Sequence, residues 1–526
     1  MFRHTDRILT MSAPSPSHPS DTKDIARGAF TNFLGVLARS LNFAFYIFLG
    51  RIYGAKVTGI FILALATVDV VSKLGILGLD RGILTIGAKK HQEKDEAGFY
   101  RSVAQALIIG FGATLLMVVG INALAEFIAH RFYQQDELLT PLKTMSIGMF
   151  FWMVSAILLF TTRSVRIMKY EVYTKSLVEP LVLMIAAVAF YYISPGISGL
   201  SLAFLLSVVA GSVSSIYFFG KTFSFKKLFR QFFKLPGLLE VAKFATPIGF
   251  YDLLNLLLQR IDVFMLGRFA PSSQLGVYGI AQSIAFGAKK IRQSFDPILI
   301  PVISSRYQEG NREAIRLHYQ NVTRWILILN LAVLGLFVFA AKPALALFGK
   351  DFQGGDTALI LLTSAVVLNG VLGVSELFIL IDRPLINLMN TIGTIIMSIV
   401  LNLLLIPRWG MEGAAAAMLI SYFVMNVARI TEVIVLYRIH PFTMFHLRAV
   451  AASAVSLSIA SILSFTPPVS DSLLLQFFTG VFYVILYFML LLIIGPANEE
   501  AEVAQRLKLK LFRVFNLGNR SSKERE

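Results

Sequence analysis

Leu49-Gly50-Arg51-Ile52-Tyr53-Gly54-Ala55-Lys56-Val57-Thr58-Gly59-Ile60-Phe61 returns further along as Leu266-Gly267-Arg268-Phe269-Ala270-Pro271-Ser272-Ser273-Gln274-Leu275-Gly276-Val277-Tyr278. The matching positions keep a constant spacing of 217 residues, from 49 to 266 and from 59 to 276. A fixed spacing between matching segments is the mark of a tandem duplication. A second match sets Pro195-Gly196-Ile197-Ser198-Gly199 against Gly410-Met411-Glu412-Gly413 at a spacing of 214, so only three residues were lost between the copies. Gly in both turns suits a tight connection feeding a closely packed helix.

Both copies are apolar. Mean hydropathy is +0.70, and 56% of the 526 residues are hydrophobic, which no soluble domain needs. Runs of about 20 apolar residues, the length that crosses a bilayer, recur from 27–50 to 473–495, and about fourteen can be counted. These runs are continuous and not alternating, so they predict transmembrane helices and exclude a membrane barrel. The fold expected is an all-α membrane protein: two pseudo-symmetric six-helix lobes plus two C-terminal helices. The expected layout is a disordered cytoplasmic tail at 1–24, a first lobe at 25–220 and an amphipathic linker at 221–243. A second lobe at 244–436, a helix pair at 446–495 and a basic tail at 496–526 complete it. Parallel repeats of this kind place a transport site where the lobes meet.

Loop charge gives the orientation. Lys and Arg crowd the N-terminal tail and the second, fourth and sixth connections, while the alternate loops are sparse, so the positive-inside rule makes both termini cytoplasmic. Much of the net charge of +17 is thereby topology and not nucleic-acid binding. The segment 223–239 interleaves Phe225, Leu228, Phe229, Phe232 and Phe233 with Lys226, Lys227, Arg230 and Lys234, an amphipathic pattern expected to lie on an anionic leaflet. The segment 499–515 has the same character.

Chemistry is sparse. There is no cysteine, so no disulfide or thiolate site can form. The seven histidines fall in tails or at helix ends and never at i, i+4, so no metal site is expected. Gly82 to Lys89 lacks the lysine a phosphate-binding loop needs. No cofactor and no enzymatic activity are expected.

The polar residues inside the apolar runs are therefore informative, because an intramembrane charge is costly. The first span carries Asn32, Arg39 and Asn42. The seventh carries Asp252, Asn255, Gln259, Arg260 and Asp262, and the second carries Asp69 and Lys73. The eighth carries Gln282, Lys289, Lys290, Arg292, Gln293 and Asp296. The repeat register sets Lys290 opposite Lys73, which favours Lys290 over Lys289 as the residue facing a shared chamber. The competing reading is internal pairing, Asp69 with Lys73 and Arg292 with Asp296, each at i, i+4. Cations outnumber carboxylates in these spans, so the surplus calls for an anionic cargo. Arg39, Asn42, Lys73, Gln259, Arg260, Lys289, Lys290 and Arg292 are the candidate cargo contacts. Asp69, Asp252, Asp262 and Asp296 are candidates for ion coupling or charge pairing.

The motifs Leu49 to Phe61, Gly75-Ile76-Leu77-Gly78-Leu79-Asp80-Arg81-Gly82, Leu275 to Tyr278, Ala281-Gln282 and Phe295-Asp296-Pro297 to Pro301 carry a family resemblance. The chain resembles the oligosaccharide flippase branch of the multidrug/oligosaccharidyl-lipid/polysaccharide exporter superfamily, over nearly all of 25–495. That resemblance implies flipping of polyprenyl-diphosphate-linked oligosaccharide, for O-antigen or other surface polysaccharide, across the bacterial plasma membrane by alternating access. It also implies a monomer working beside a glycan polymerase and chain-length proteins. The rival readings are a multidrug antiporter of the same superfamily, its lipid II flippase branch, and a membrane glycosyltransferase, polymerase or ligase.

Overall fold

The computed structural model describes residues 41, 43–232, 237–308, 312–464 and 472–494. The expected terminal tails, and Asn32, Arg39 and Asn42 of the first span, lie outside them. The described residues are helical throughout, with eleven helices long and apolar enough to span a membrane by length and composition. Helix α1 runs from Phe43 into a π-turn at Leu49–Tyr53 and meets α2 (Gly54–Ile76) at Gly54, whose φ of 76° only glycine adopts easily. Then come α3 (Leu79–Gln92), α4 (Glu96–Glu126), α5 (Leu139–Ser164), α6 (Glu179–Ile193) and α7 (Ile197–Thr222). A short α8 (Phe225–Phe229) leads to the second copy, α9 (Leu238–Phe269), α10 (Ser272–Gln308), α11 (Arg312–Ala346), α12 (Asp356–Leu372), α13 (Ser375–Asp382) and α14 (Pro384–Tyr437). Helices α15 (Met444–Ser464) and α16 (Leu473–Ile493) close the chain.

Three details bring eleven to the fourteen spans expected. Phe43–Gln92 holds the end of one span and the whole of the next. Helix α14 breaks at Gly410 (φ 54°, ψ −129°) three residues after Pro407 and so contains two spans. Helix α10 carries too much charge to register by apolarity but is 37 residues long. Gly196, the counterpart of Gly410, also has positive φ, at 94°. Both copies therefore turn on a glycine that no other residue replaces without strain.

The repeat signature explains itself in the packing. Gly59 of α2 and its counterpart Gly276 of α10 face each other so closely that a Cβ on Gly276 would lie 3.0 Å from the Gly59 nitrogen. Each Leu-Gly-Arg unit also packs on the opposite copy. Gly50 rests on Phe348 and Phe352, and Arg51 Nε donates to the Leu347 carbonyl at 2.7 Å. Gly267 rests on Tyr133, and Gln135 Nε2 donates to the Gly267 carbonyl at 2.9 Å. At its other end α2 stops at Leu77 and Gly78, both left-handed, and Gly78 abuts Gly249 of α9 backbone to backbone. Helix α2 is thus seated against the second lobe at both ends. The second copy has no break at this point, and α10 continues as one helix to Gln308.

The C-terminal pair belongs to the second lobe. The Tyr483 ring of α16 fills the groove left by Gly335 of α11, and its hydroxyl donates to the Leu331 carbonyl at 3.1 Å.

Candidate functional site

A polar cavity of about 210 Å³ lies inside the second lobe, between α9, α10, α12–α13 and the second half of α14. The expectation from sequence was a chamber where the lobes meet, whereas this cavity is lined by residues of the second lobe alone. The cavity nevertheless borders the seam, because Arg260 follows Gln259 on α9 and reaches across to Asp69 of α2.

Its centre is Glu376, which reasoning from sequence missed. One oxygen, Oε2, accepts from Arg292 at 3.3 Å and lies 3.3 Å from Arg429 Nη1. The side chains of Arg292 and Arg429 are only 13% and 3% exposed, so these ions exchange little with solvent. Arg292 also faces Asp296 at 3.8 Å, the expected i, i+4 pair. Gly373, at the break between α12 and α13, makes room for the guanidinium: a Cβ there would lie 2.7 Å from Arg292 Nη1. Arg429 donates to Asn387 at 3.0 Å, and Asn387 donates to the Tyr251 hydroxyl at 2.9 Å. The lone carboxylate in the run 357–381 was the available signal for Glu376, by the same cost that singled out the other charges.

Lys289, not Lys290, faces the cavity. Lys289 donates to Gln259 at 2.8 Å, and no carboxylate reaches it among the described residues. Lys290 is exposed and bonds Gln293 at 3.0 Å. The cavity walls thus hold Lys289, Arg292 and Arg429 against Glu376 and Asp296. Its formal balance is one positive charge.

The remaining candidates are paired elsewhere. Asp69 bonds Arg260 of α9 at 3.2 Å and not Lys73, which instead reaches Asp80 at 3.3 Å, beyond the α2 break. Asp252 holds Arg81 at 2.9 Å, a second pair across the seam. Asp262 is buried among Tyr278, Gln282 at 2.7 Å and the Val263 amide at 2.9 Å, so it fastens α9 to α10 and does not line the cavity. The seventh-span stripe therefore divides: Asn255 and Gln259 line the cavity, while Asp252 and Asp262 serve two different contacts.

Two helical lobes with pseudo-twofold contacts, a polar cavity beside their seam and ion pairs across it define a multi-pass, two-lobed helical membrane protein. Residues 48–354 match the family described as polysaccharide biosynthesis protein, and the chain belongs to that family. A curated relative, the probable low-salt glycan biosynthesis flippase Agl15 of Haloferax volcanii, is 24% identical over 246 residues, which is 46% of this chain. That match spans only 51% of the relative's length. Among solved structures, the lipid II flippase MurJ in an inward closed conformation aligns with a TM-score of 0.73 at 14% identity, covering 88% of this chain and 98% of MurJ. An inward-facing multidrug resistance MATE transporter aligns with a TM-score of 0.63 at 18% identity, covering 75% and 92%. At such identities the likeness is one of fold.

Proposed function

We propose that this chain flips a polyprenyl-diphosphate-linked oligosaccharide from the cytoplasmic to the outer leaflet for surface polysaccharide synthesis. The lobes at 25–220 and 244–436 would rock against each other, with both termini cytoplasmic in a bacterial plasma membrane. Membership in a polysaccharide biosynthesis family and the Agl15 relative support the cargo class. The observation that carries the reading is Lys289, an ammonium bonded to the Gln259 amide and set over the Phe286 ring, with no carboxylate in ion-pair reach among the described residues, in a cavity whose other ions are matched. A diphosphate entering there finds a cation that need not first give up a carboxylate, so binding keeps the full charge-assisted bond. Arg260 and Lys73 would have to exchange Asp69 and Asp80 for cargo, which fits a step in which the lobes part.

The test is translocation of a fluorescent lipid-linked oligosaccharide in proteoliposomes, read by quenching from one side. Lys289→Gln should slow flipping about tenfold or more, the value of one hydrogen bond to a charged group. Wild-type rates in Lys289→Gln, or antiport of cationic drugs with no glycolipid movement, would overturn the assignment.

A further inference from the structure

The segment joining the lobes covers a second cavity unlike the first. Ser224 donates its amide to the Tyr100 hydroxyl at 3.0 Å, and Lys227 donates to Glu96 at 2.6 Å, so α8 is fastened across the end of α4. Beneath it lies a slot of about 620 Å³, within the range of about 300–1,000 Å³ typical of ligand clefts. Phe111 of α4, Leu158 of α5 and Ile216 of α7 form its walls, and Phe225, Leu228 and Phe232 form its roof. Its lining is almost entirely carbon, and Phe111 and Ile216 are 56% and 41% exposed, so the slot opens on the lipid-facing side of the bundle. A void of that chemistry does not hold water.

The exposed flank of the same segment is cationic. Lys226 and Arg230, four residues apart, are exposed and pair with no carboxylate among the described residues, whereas Lys227 between them is already held by Glu96. An apolar slot for a chain, beside two uncommitted cations, matches one molecule with a hydrocarbon tail and a phosphate head. We propose that this slot binds an anionic phospholipid, one acyl chain under α8 and its phosphate on Lys226 and Arg230. The site is separate from the cavity around Glu376 and does not depend on the identity of the cargo. Because α8 lies in the connection between α7 and α9, its occupant holds the segment that must accommodate any movement between the lobes.

The experiment uses the full chain in nanodiscs containing a phosphatidylglycerol or a phosphatidylcholine with a photoactivatable diazirine in one acyl chain. Adducts are mapped by mass spectrometry. The phosphatidylglycerol probe should label peptides covering 107–111 and 225–232, and the phosphatidylcholine probe should label them far less. Lys226→Gln and Arg230→Gln should each lower that labelling about fivefold, from the attraction of one cation near an anionic surface. Ile216→Trp, which narrows the slot from an exposed position, should abolish it while labelling along α16 is kept. Equal labelling by both probes, or no change in Lys226→Gln/Arg230→Gln, means ordinary boundary lipid and overturns the proposal. Displacement by equimolar undecaprenyl phosphate assigns the slot to the cargo tail and overturns it too.

Discussion

Replacing Glu376 with Gln keeps the shape of the side chain and removes the one charge that both Arg292 and Arg429 face. Breaking a buried ion pair costs about 3–5 kcal/mol, because the partner stays behind uncompensated. Arg292 still has Asp296 at 3.8 Å, so the burden falls on Arg429, 3% exposed and left with Asn387 alone. The expected loss is therefore at the lower end, about 3 kcal/mol. Glu376→Gln/Arg429→Gln removes the stranded cation together with its partner. The double variant should recover part of the loss, with a coupling energy of about 1–3 kcal/mol. Graded SDS unfolding in mixed micelles, followed through the three tryptophans, measures all three variants against wild type. If Glu376→Gln stays within about 0.5 kcal/mol of wild type, or if the two changes simply add, Glu376 does not neutralise these arginines.

The seam offers a charge-swap test. Asp69→Asn should impair transport by leaving Arg260 alone, and Asp69→Arg/Arg260→Asp should restore much of it. Flipping in proteoliposomes measures both variants, and a swapped pair as slow as Asp69→Asn would contradict the pairing. Gly276→Ala puts a methyl group against the Ala55 carbonyl, a clash worth about 1–3 kcal/mol. In this cysteine-free chain, maleimide labelling of the buried Leu275→Cys should rise with Gly276→Ala, and unchanged labelling would mean that the glycine contact does not hold this end shut. At the start of α4, the Gly98 amide, donating to Asp95 at 2.8 Å, and then Lys90 hold the Asp95 carboxyl below its ordinary 3.8. A depressed carboxyl stabilises above its unfolded value and loses that effect as pH falls through the folded one. Asp95→Ala should thus speed hydrogen exchange at residues 97–100 at neutral pH and differ little from wild type in strong acid.

Much of this architecture could be read from the chain because the duplication preserved what close packing demands. Gly59 and Gly276 stay glycine since their backbones touch, and Gly196 and Gly410 stay glycine since their φ is positive. Partner choice was less legible. The spacing of 217 carried Lys73 onto Lys290, but Lys73 is held by Asp80, whose counterpart is Pro297. The register therefore transferred a position without its partner, and the neighbouring Lys289 took the inward face. Asp69 and Lys73 stand one turn apart and still do not pair, because α9 brings Arg260 nearer to the carboxylate. Helix periodicity shows which residues share a face and not which helix arrives opposite.

A residue that meets its own duplicate, as Gly59 meets Gly276, occupies the spot where a twofold axis passes through a symmetric pair. Homodimers make that contact by necessity, because each surface must complement itself. The geometry is that of a twofold pair carried within one chain. Joined in one chain, the halves are free to differ, and the break after α2 that α10 lacks is one such difference.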